Sequence, residues 1–580
     1  MLKLVRFLKK YKWQTTFGPM FKLLEAILEL IVPIVMARMI DQGIAVGDTN
    51  YILRQGLVMV GLGILGLGAS LTAQWMASVA SQGVGTDIRK SLFAHIQKFS
   101  YKELDHFGAD TLTTRMTNDI NQIQVVVAML IRLVSRAPFL AIGAIYMAFR
   151  VNASVTWIFL LVVPLISLVL YLIMGKTIPL YKKVQNKLDV IGRISRENLT
   201  GARVVRAFGA QQREEENFHD ECVHQAEMVM KINRITALLS PLIAVILNGA
   251  IGLLLWTSGQ KIQIGEMTQG DTIALVNYLT QISLALVVVA NLVVIFTKGA
   301  ASAARINEVF EMHPSIMEDN NEENNLFFPQ EAPYIEYENV SFGYYAQWKM
   351  AIENVSFTVE KGQRIGIIGG TGAGKSTLMQ LLPRFYDVTG GEIRLQGKPI
   401  KAYPLLQLRG SIGIVAQNPT LFTGTVASNL RFGNEEATDQ ELWTALEIAQ
   451  MKETVLQLPK KLESPVLKGG SNFSGGQRQR FTIARALVKK PQILILDDSA
   501  SALDYATDAA LRKELKSHCK ETTQFIISQR VNAIEDCDLI LVMDHGHIAG
   551  VGTHQQLLQA NQLYQEIVAS QPKESEEILP

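Results

Sequence analysis

The sequence is poor in charge and in cysteine. Asp, Glu, Lys and Arg make up 19% of the 580 residues, against roughly 25% in an average soluble domain, while hydrophobic residues reach 48%. The net charge of +2 gives no basis for expecting nucleic acid as a partner. The three cysteines, Cys222, Cys519 and Cys537, are far apart and form no C-x-x-C pair, which argues against a disulfide framework or a zinc site.

The apolar residues are concentrated in the first 300 positions, in runs long enough for membrane helices. A bilayer core of about 30 Å needs roughly 20 helical residues. Hydropathy is least decisive for the third run, which Arg132 and Arg136 interrupt. The sequence therefore predicts an α-helical membrane domain embedded in the lipid bilayer, with six spans near 15–40, 52–80, 122–149, 154–178, 235–258 and 272–297.

Basic residues predict the orientation of these spans. The first twelve residues, MLKLVRFLKKYK, carry five basic side chains and no acid, and no small-residue cleavage site follows them. The long polar stretches 81–121 and 179–234 are also rich in Lys and Arg, as cytoplasmic loops are. We expect a multi-pass protein of the cell (cytoplasmic) membrane with both termini in the cytoplasm and with helices that extend well beyond the apolar runs.

The composition changes after the last span. Residues 312–333, MHPSIMEDNNEENNLFFPQEAP, are acidic, rich in Asn and bounded by prolines, as in a linker. From Tyr334 onward, short β-rich runs alternate with helical patterns. The predicted domains are a membrane domain at 1–311, a linker at 312–333 and an α/β domain at 334–580.

A phosphate-binding motif opens the α/β domain. Residues 364–378, RIGIIGGTGAGKSTL, place a P-loop between an apolar strand and a helix. Its glycines let backbone N–H groups surround phosphates, Lys375 reaches the outer phosphates, and Ser376 binds Mg²⁺. ATP or GTP binding is thus expected at Gly369, Gly370, Thr371, Gly372, Ala373, Gly374, Lys375, Ser376 and Thr377.

A second stretch, ILILDD at 493–498, predicts a buried strand that ends in two carboxylates. Downstream of a P-loop, the first of them, Asp497, is expected to hold Mg²⁺ through water. The second, Asp498, stands where a general base for hydrolysis is expected.

Four further motifs identify a family resemblance. They are NFSGGQRQR at 472–480, SALD at 501–504, Gln417 within VAQNPTLF and Tyr344 within VSFGYY. In this order, after a P-loop and six spans, they resemble the half-transporter exporters among the ATP-binding-cassette (ABC) transporters, and the resemblance covers the whole chain. It implies ATP and Mg²⁺ as cofactors and a type I exporter fold followed by an α/β P-loop cassette.

The resemblance also implies residue roles. Tyr344 would stack on adenine, Gln417 would contact Mg²⁺ and the membrane part, and Asp504 would help to link two nucleotide sites. Short coupling helices near 102–110 and 199–210 would rest on the cassettes. The residues that would bind the γ-phosphate of ATP held by the opposite subunit are Ser474, Gly475, Gly476 and Gln477.

Two positions depart from the family pattern. Asp498 replaces the usual Glu, and Gln529, within FIISQR, replaces the usual His. A shorter carboxylate places the base roughly 1 Å from its working position, which can cost on the order of a hundredfold in rate. Gln529 can donate a hydrogen bond to a phosphate but cannot take up a proton. Together the two changes predict a degenerate site that binds ATP and hydrolyses it weakly.

Two carboxylates lie within the first span. Glu25 and Glu29 are four residues apart and share one helical face. They can belong to a cavity that recognises cationic or amphipathic cargo. Equally, they can pair with another helix through Arg38 or Arg132, or lie near the interface.

Taken together, these patterns predict one subunit of a heterodimeric ABC exporter that uses ATP to move amphipathic, drug-like small molecules. Its partner would be a second, different half-transporter with an intact active site. Two alternatives remain open: an exporter or flippase of lipids or lipopeptides, and a regulatory subunit that senses nucleotide and gates the partner.

Overall fold

The chain divides into two compact units in the computed structural model, which describes residues 2–316, 332–344 and 349–571. The first unit comprises Met1–Lys98 and Phe107–His313, and the second comprises Phe99–His106 and Pro314–Pro580. Most of the predicted linker, 317–331, lies outside the described residues. The short segment Phe99–His106 groups with the second unit although it lies within the predicted membrane domain.

The first unit is helical throughout. Three π-helical segments interrupt it, at Met39–Ile44, Arg115–Asp119 and Leu130–Val134, and 3₁₀ turns lie at Leu2–Tyr11 and Ala153–Val155. The α-helices are α1 Lys12–Arg38, α2 Thr49–Ile96, α3 Tyr101–Phe107, α4 Ala109–Thr114, α5 Ile120–Met129, α6 Arg136–Val151, α7 Trp157–Thr200, α8 Ala202–Ala207, α9 Gln211–Ala237, α10 Leu239–Gln263 and α11 Gln269–Glu311. Of these, α3 falls almost entirely in the segment that groups with the second unit.

Five helical stretches of the described chain are long and apolar enough to cross a membrane. They are Thr49–Ile96, Ala109–Val151, Ala153–Thr200, Gln211–Gln263 and Gln269–Glu311. The first predicted span also folds as a helix, α1, but Lys22, Glu25 and Glu29 near its middle make it more polar than the other five. The third predicted span, which Arg132 and Arg136 interrupt, qualifies as part of the stretch Ala109–Val151.

The helices extend beyond the apolar runs, as expected, and short helices interrupt the polar stretches. Helix α3 overlaps the predicted coupling position 102–110, and α8 lies within 199–210. Exposed apolar side chains cluster at α8, where Leu199, Val204 and Phe208 are exposed. The structure thus has a short helix at each predicted position, and the coupling role stays a prediction.

The second unit is an α/β domain built around a six-stranded sheet in the order β12-β11-β3-β10-β9-β6. A four-stranded sheet, β2-β1-β4-β5, and the pair β7-β8 complete it. The strands are β1 Ile335–Phe342, β2 Ile352–Val359, β3 Arg364–Gly369, β4 Gly390–Leu395, β5 Lys398–Pro399, β6 Ile412–Val415, β7 Gly424–Thr425, β8 Pro465–Val466, β9 Ile493–Asp497, β10 Thr523–Ile527, β11 Leu539–Asp544 and β12 His547–Gly552. The helices are α12 Lys375–Leu381, α13 Leu405–Ser411, α14 Val426–Arg431, α15 Asp439–Ile448, α16 Lys452–Leu456, α17 Gly475–Val488, α18 Tyr505–His518, α19 His554–Ala560 and α20 Gln562–Ala569, with 3₁₀ turns at Ile400–Ala402, Lys461–Glu463, Lys468–Gly470 and Val531–Ala533.

Specific polar contacts hold the segment Phe99–His106 within the second unit. The Tyr386 hydroxyl donates to an Asp105 carboxylate oxygen at 2.9 Å. The buried Glu103 carboxylate accepts hydrogen bonds from the backbone N–H and hydroxyl of Ser100 and from the backbone N–H of Ser315. Burial raises the pKa of Glu103, and these hydrogen bonds outweigh burial, so the net shift lowers it. The carboxylate therefore stays ionised while it joins α3 to the residues after α11.

In the first unit, a buried carboxylate joins the helical stretch Ala109–Val151 to α11. Asp119, at the end of a π-helical segment, accepts hydrogen bonds from the Ser302 hydroxyl at 2.9 Å and from Arg305 Nε at 2.8 Å. The Asp119 side chain is 4% exposed, whereas Arg305 is half exposed. Because a buried carboxylate is costly unless it is hydrogen-bonded, this contact fixes how the two helices pack.

Replacing this carboxylate should loosen the helical unit. In Asp119→Asn the side-chain shape is kept but the charge-assisted hydrogen bonds are lost, so we expect a loss of about 1.5–3 kcal/mol in the free energy of unfolding. Thermal unfolding in detergent measures it. The matched control is Asp110→Asn, at an exposed position of the neighbouring α4. Equal stability of the two variants would show that the Asp119 contact contributes nothing.

Candidate nucleotide-binding site

The P-loop connects β3 to α12 through backbone conformations that favour glycine. Gly369 ends β3 at φ +153°, and Gly374 precedes α12 at φ +100°. A Cβ atom at Gly369 would lie 2.1 Å from the Met543 carbonyl oxygen, and one at Gly374 would lie 2.7 Å from that of Ala351. At both positions a side chain would clash with a neighbouring carbonyl oxygen, and the positive φ also favours glycine. The turn exposes backbone N–H groups for phosphate, as its sequence predicts.

Lys375 is held back over the P-loop. Its Nζ donates hydrogen bonds to the carbonyl oxygens of Gly369 at 2.9 Å and Gly370 at 2.8 Å. Burial lowers the pKa of Lys375, while the nearby carboxylates of Asp498 and Asp497 act to raise it. A phosphate group would replace two neutral carbonyl partners by a charged one, which is a stronger hydrogen bond for an ammonium group.

Parallel pairing brings the acidic pair to the P-loop. Strand β10 pairs in parallel with β3 on one side and with β9 on the other, so the carboxyl ends of β3 and β9 meet at one edge. There the Ser376 hydroxyl donates to Asp497 Oδ1 at 2.8 Å. Burial is the main cause that raises the pKa of Asp497, the Asp498 carboxylate adds to it, and the hydrogen bond from Ser376 opposes it.

The hydroxyl and carboxylate oxygens of Ser376 and Asp497 are the ligand types that Mg²⁺ takes beside nucleotide phosphates. Mg²⁺ would supply charge neutralisation between the phosphate groups. Gln417, the third predicted metal residue, donates from Nε2 to Asp498 Oδ2 at 3.3 Å. The structure thus brings all three predicted metal residues to the same edge of the sheet.

Asp498 occupies a restricted backbone position. Its φ is +47°, in the left-handed region that Asp and Asn enter more readily than most residues with a side chain. Its backbone N–H donates to the Ile527 carbonyl oxygen at 2.9 Å, which fixes it beside the end of β10. Gln529 follows the same strand end and is exposed. The two positions that depart from the family pattern are therefore close to the end of one central strand.

Tyr344, the predicted adenine-stacking residue, belongs to an aromatic cluster. Its hydroxyl is 3.0 Å from the Thr377 hydroxyl, directly after the P-loop lysine and serine. Its ring meets Phe342 and Tyr386 edge-on, at centroid distances of 5.0 and 5.3 Å. Tyr386 also binds Asp105, as described above. No sequence motif indicates Tyr386 or Asp105 as functional, because none relates positions so far apart.

The signature residues form the start of α17. The Ser474 hydroxyl accepts from the Gln477 backbone N–H at 3.3 Å, and Gln477 Oε1 accepts from the Ser474 N–H at 3.0 Å. This reciprocal capping box leaves Ser474 and Gly475 exposed. Phe473, just before them, is buried against Phe481 at a centroid distance of 4.9 Å. The buried Phe473 thus holds the turn in place, while Ser474 and Gly475 remain exposed at the surface.

Asp504, in SALD, caps the next helix. It begins α18, and its carboxylate accepts from the backbone N–H and the hydroxyl of Thr507, both at 2.9 Å. These hydrogen bonds lower the pKa of Asp504. The residue is fully engaged within its own turn, and the link between two nucleotide sites stays a prediction.

The two membrane carboxylates are paired. Glu25 lies 2.6 Å from Lys22 Nζ and 3.6 Å from Arg136 Nε, and Glu29 lies 2.6 Å from Arg136 Nη2. Pairing with another helix was one of the two readings, but the partner is Arg136 on α6 rather than Arg38 or Arg132. Lys22 was overlooked, although its spacing of three residues from Glu25 is a pairing signal.

The arrangement describes a P-loop ATPase cassette joined to a helical membrane domain. The two halves match the family models described as ABC transporter transmembrane region, over residues 15–286, and ABC transporter, over residues 352–501. The chain belongs to the ABC transporter family, as an exporter half-transporter in which a membrane domain is fused to an ABC cassette. It is an ATPase coupled to transport.

Known proteins resemble it along almost its whole length. The uncharacterized ABC transporter ATP-binding protein YfiB of Bacillus subtilis (strain 168) is 36% identical over 572 residues, which is 98% of each protein. The same organism's probable multidrug resistance ABC transporter ATP-binding/permease protein YheI is 32% identical, over 83% of this chain and 81% of YheI. The solved structure of a bacterial Atm1-family ABC exporter with ATP bound superimposes with a TM-score of 0.80 at 26% identity, over 98% of this chain and 100% of that one.

Removal of the P-loop charge should weaken nucleotide binding. In Lys375→Ala, the lost charge-assisted hydrogen bonds should cost about 1.5–3 kcal/mol, or roughly tenfold to a hundredfold in the Kd for ATP. Calorimetry on the purified protein measures the Kd. Lys361→Ala, at an exposed position before β3, removes a positive charge from the same domain and should leave the Kd unchanged. An unchanged Kd in Lys375→Ala would contradict the assigned role.

Proposed function

We propose that this chain is one subunit of a heterodimeric exporter that uses ATP to move amphipathic compounds out of the cell across the cytoplasmic membrane. Its own P-loop builds a site that binds ATP and hydrolyses it weakly, and its signature turn completes the active site of a different partner. The printed name of YheI, a relative over most of the chain, supports multidrug-type cargo. The basic polar stretches support termini on the cytoplasmic side.

The observation that carries the proposal is the paired change at Asp498 and Gln529. Asp498 has φ +47°, a backbone N–H bonded to Ile527 and a carboxylate bonded to Gln417. Because the backbone is fixed in this way, a side chain one methylene shorter than Glu cannot easily be compensated by backbone movement. Gln529 then lacks the ionisable ring of His.

The binding parts of the site remain in place. Lys375, Ser376 and Asp497 are hydrogen-bonded at the sheet edge, and Ser474 and Gln477 form an ordered cap. A shortened base at Asp498 and the absence of His at Gln529, with binding and signature residues retained, fit a subunit whose signature serves a competent partner. Two copies of this chain would contain two weak sites, so a homodimer fits less well.

The heterodimer predicts an order among variants. Asp498→Asn should change steady-state ATP turnover little, because little base catalysis is present to lose, and Asn also tolerates positive φ. Ser474→Ala should lower turnover roughly tenfold or more, because it removes a hydrogen bond to the charged γ-phosphate at the partner's site. Substitution of the partner's catalytic Glu by Gln should nearly abolish turnover. ATPase rates are measured in the purified complex without added cargo.

The control for the signature variant is Ser471→Ala, three residues upstream and exposed. It removes a hydroxyl from the same loop and should leave the rate unchanged. A loss at Asp498→Asn as deep as that at Ser474→Ala would contradict the asymmetric pair, because it would mean that Asp498 itself supports hydrolysis.

A further inference from the structure

A cluster of five charged side chains lies within the membrane domain, on α1 and near the middle of the helical stretch Ala109–Val151. Lys22, Glu25 and Glu29 lie on α1, and Arg132 and Arg136 flank the junction between the π-helical segment and α6. The first predicted span begins near residue 15, so at 1.5 Å per residue Lys22 lies about 10 Å inside a bilayer core of about 30 Å. Ionised groups at this depth need partners.

The charges of this cluster do not balance. Lys22 and Arg136 bind the two carboxylates, as described above. Arg132 has no carboxylate partner among the residues that the structure describes: its Nη2 donates to the Ser78 hydroxyl at 3.2 Å, and its Nε is buried without a hydrogen-bond acceptor. Three cations therefore face two anions, and Arg132 carries the excess.

Arg132 has a different backbone conformation from the α-helices on either side of it. It lies in the π-helical segment Leu130–Val134, between α5 and α6. A π-helical turn inside a membrane helix carries an extra residue and often marks a functional site. An unpaired Arg at mid-helix costs about 2.5–3.5 kcal/mol on insertion scales, so a side chain in this position is expected to meet an anion or water.

The surface next to Arg132 suits an amphiphile. Ser78, its hydroxyl partner, is followed on the same face of α2 by Trp75 and Leu71, at helical spacings of three and seven residues. All three side chains are exposed, Trp75 at 61% and Leu71 at 60%. A molecule whose anionic group binds Arg132 and Ser78 could therefore lay its apolar part along Trp75 and Leu71, toward the N-terminal end of α2.

We propose that Arg132 and Ser78 bind the anionic headgroup, a phosphate or a carboxylate, of an amphiphile whose tail lies along Trp75 and Leu71. The guanidinium fork matches both anions in a bidentate manner. The inference builds on the proposed export function by naming a charge class for its ligand. It differs from the expectation of cationic cargo drawn from Glu25 and Glu29, whose carboxylates form ion pairs within the cluster.

Binding is tested with lipid probes that differ only in headgroup. Tryptophan-to-pyrene energy transfer in the purified complex measures the affinity for pyrene-labelled phosphatidylglycerol and for phosphatidylcholine with the same chains. We expect tighter binding of the anionic probe. Arg132→Gln should remove this preference, with a loss of roughly tenfold or more, and Arg132→Lys should retain part of it, because charge persists without the fork.

The matched control is Arg150→Gln, at the exposed far end of α6, the helix that follows the segment with Arg132. It should keep the headgroup preference if the site is at Arg132. Equal affinity of the unmodified complex for both probes would overturn the inference, and so would equal losses in Arg132→Gln and Arg150→Gln, which would indicate general surface attraction. The ATPase order in the preceding section needs no amphiphile, so either proposal can fail without the other.

The anionic amphiphile can be transported cargo or a lipid that the protein holds. Vesicles containing the complex and a headgroup-labelled phosphatidylglycerol distinguish these sources through quenching of the outward-facing label. Movement between leaflets that depends on ATP and on Arg132 assigns the site to cargo. Binding that depends on Arg132 without movement assigns it to a held lipid.

Discussion

A charge within hydrocarbon must find a counter-charge or water, and this constraint organises the membrane half of the chain. It explains why Lys22 lies one turn from Glu25 and why Arg136 on α6 reaches Glu29 on α1. Ion pairs of this kind align helices, but they have no net charge with which to attract a charged ligand. The same rule therefore gives Arg132 its significance, because its counter-charge is missing from the described parts of the chain.

In the cassette, sheet topology concentrates charge at one edge. Parallel pairing of β3, β10 and β9 brings Lys375, Asp497 and Asp498 together, and the lysine offsets part of the repulsion between the carboxylates. Binding depends on this framework and on the P-loop backbone. Hydrolysis would depend in addition on whether the Asp498 carboxylate can contact the attacking water. The two properties are separable, which is why a site can keep ATP and lose turnover.

The sequence predicts those elements whose determining residues are close together along the chain. The apolar runs predict the long helices, and the P-loop, the ILILDD strand and the signature turn predict their local structure, because each is encoded within a few residues. Partners distant in sequence were not predictable in this way. Glu29 binds Arg136 rather than Arg38 or Arg132, and only helix packing decides among three arginines. The grouping of Phe99–His106 with the second unit likewise depends on contacts with residues far along the chain.

The aromatic cluster at Tyr344 connects the nucleotide site to the segment Phe99–His106. Tyr344 touches Tyr386 edge-on, and Tyr386 binds Asp105 in a segment that continues through the backbone into the membrane helices. Stacking of adenine on Tyr344 would restrict both tyrosines, because aromatic pairs prefer particular geometries. Nucleotide binding would then affect the hydrogen bond between Tyr386 and Asp105 without hydrolysis of ATP. In the proposed heterodimer, nucleotide binding at this chain's site would bias the segment Phe99–His106, and hydrolysis at the partner's site would be the irreversible step.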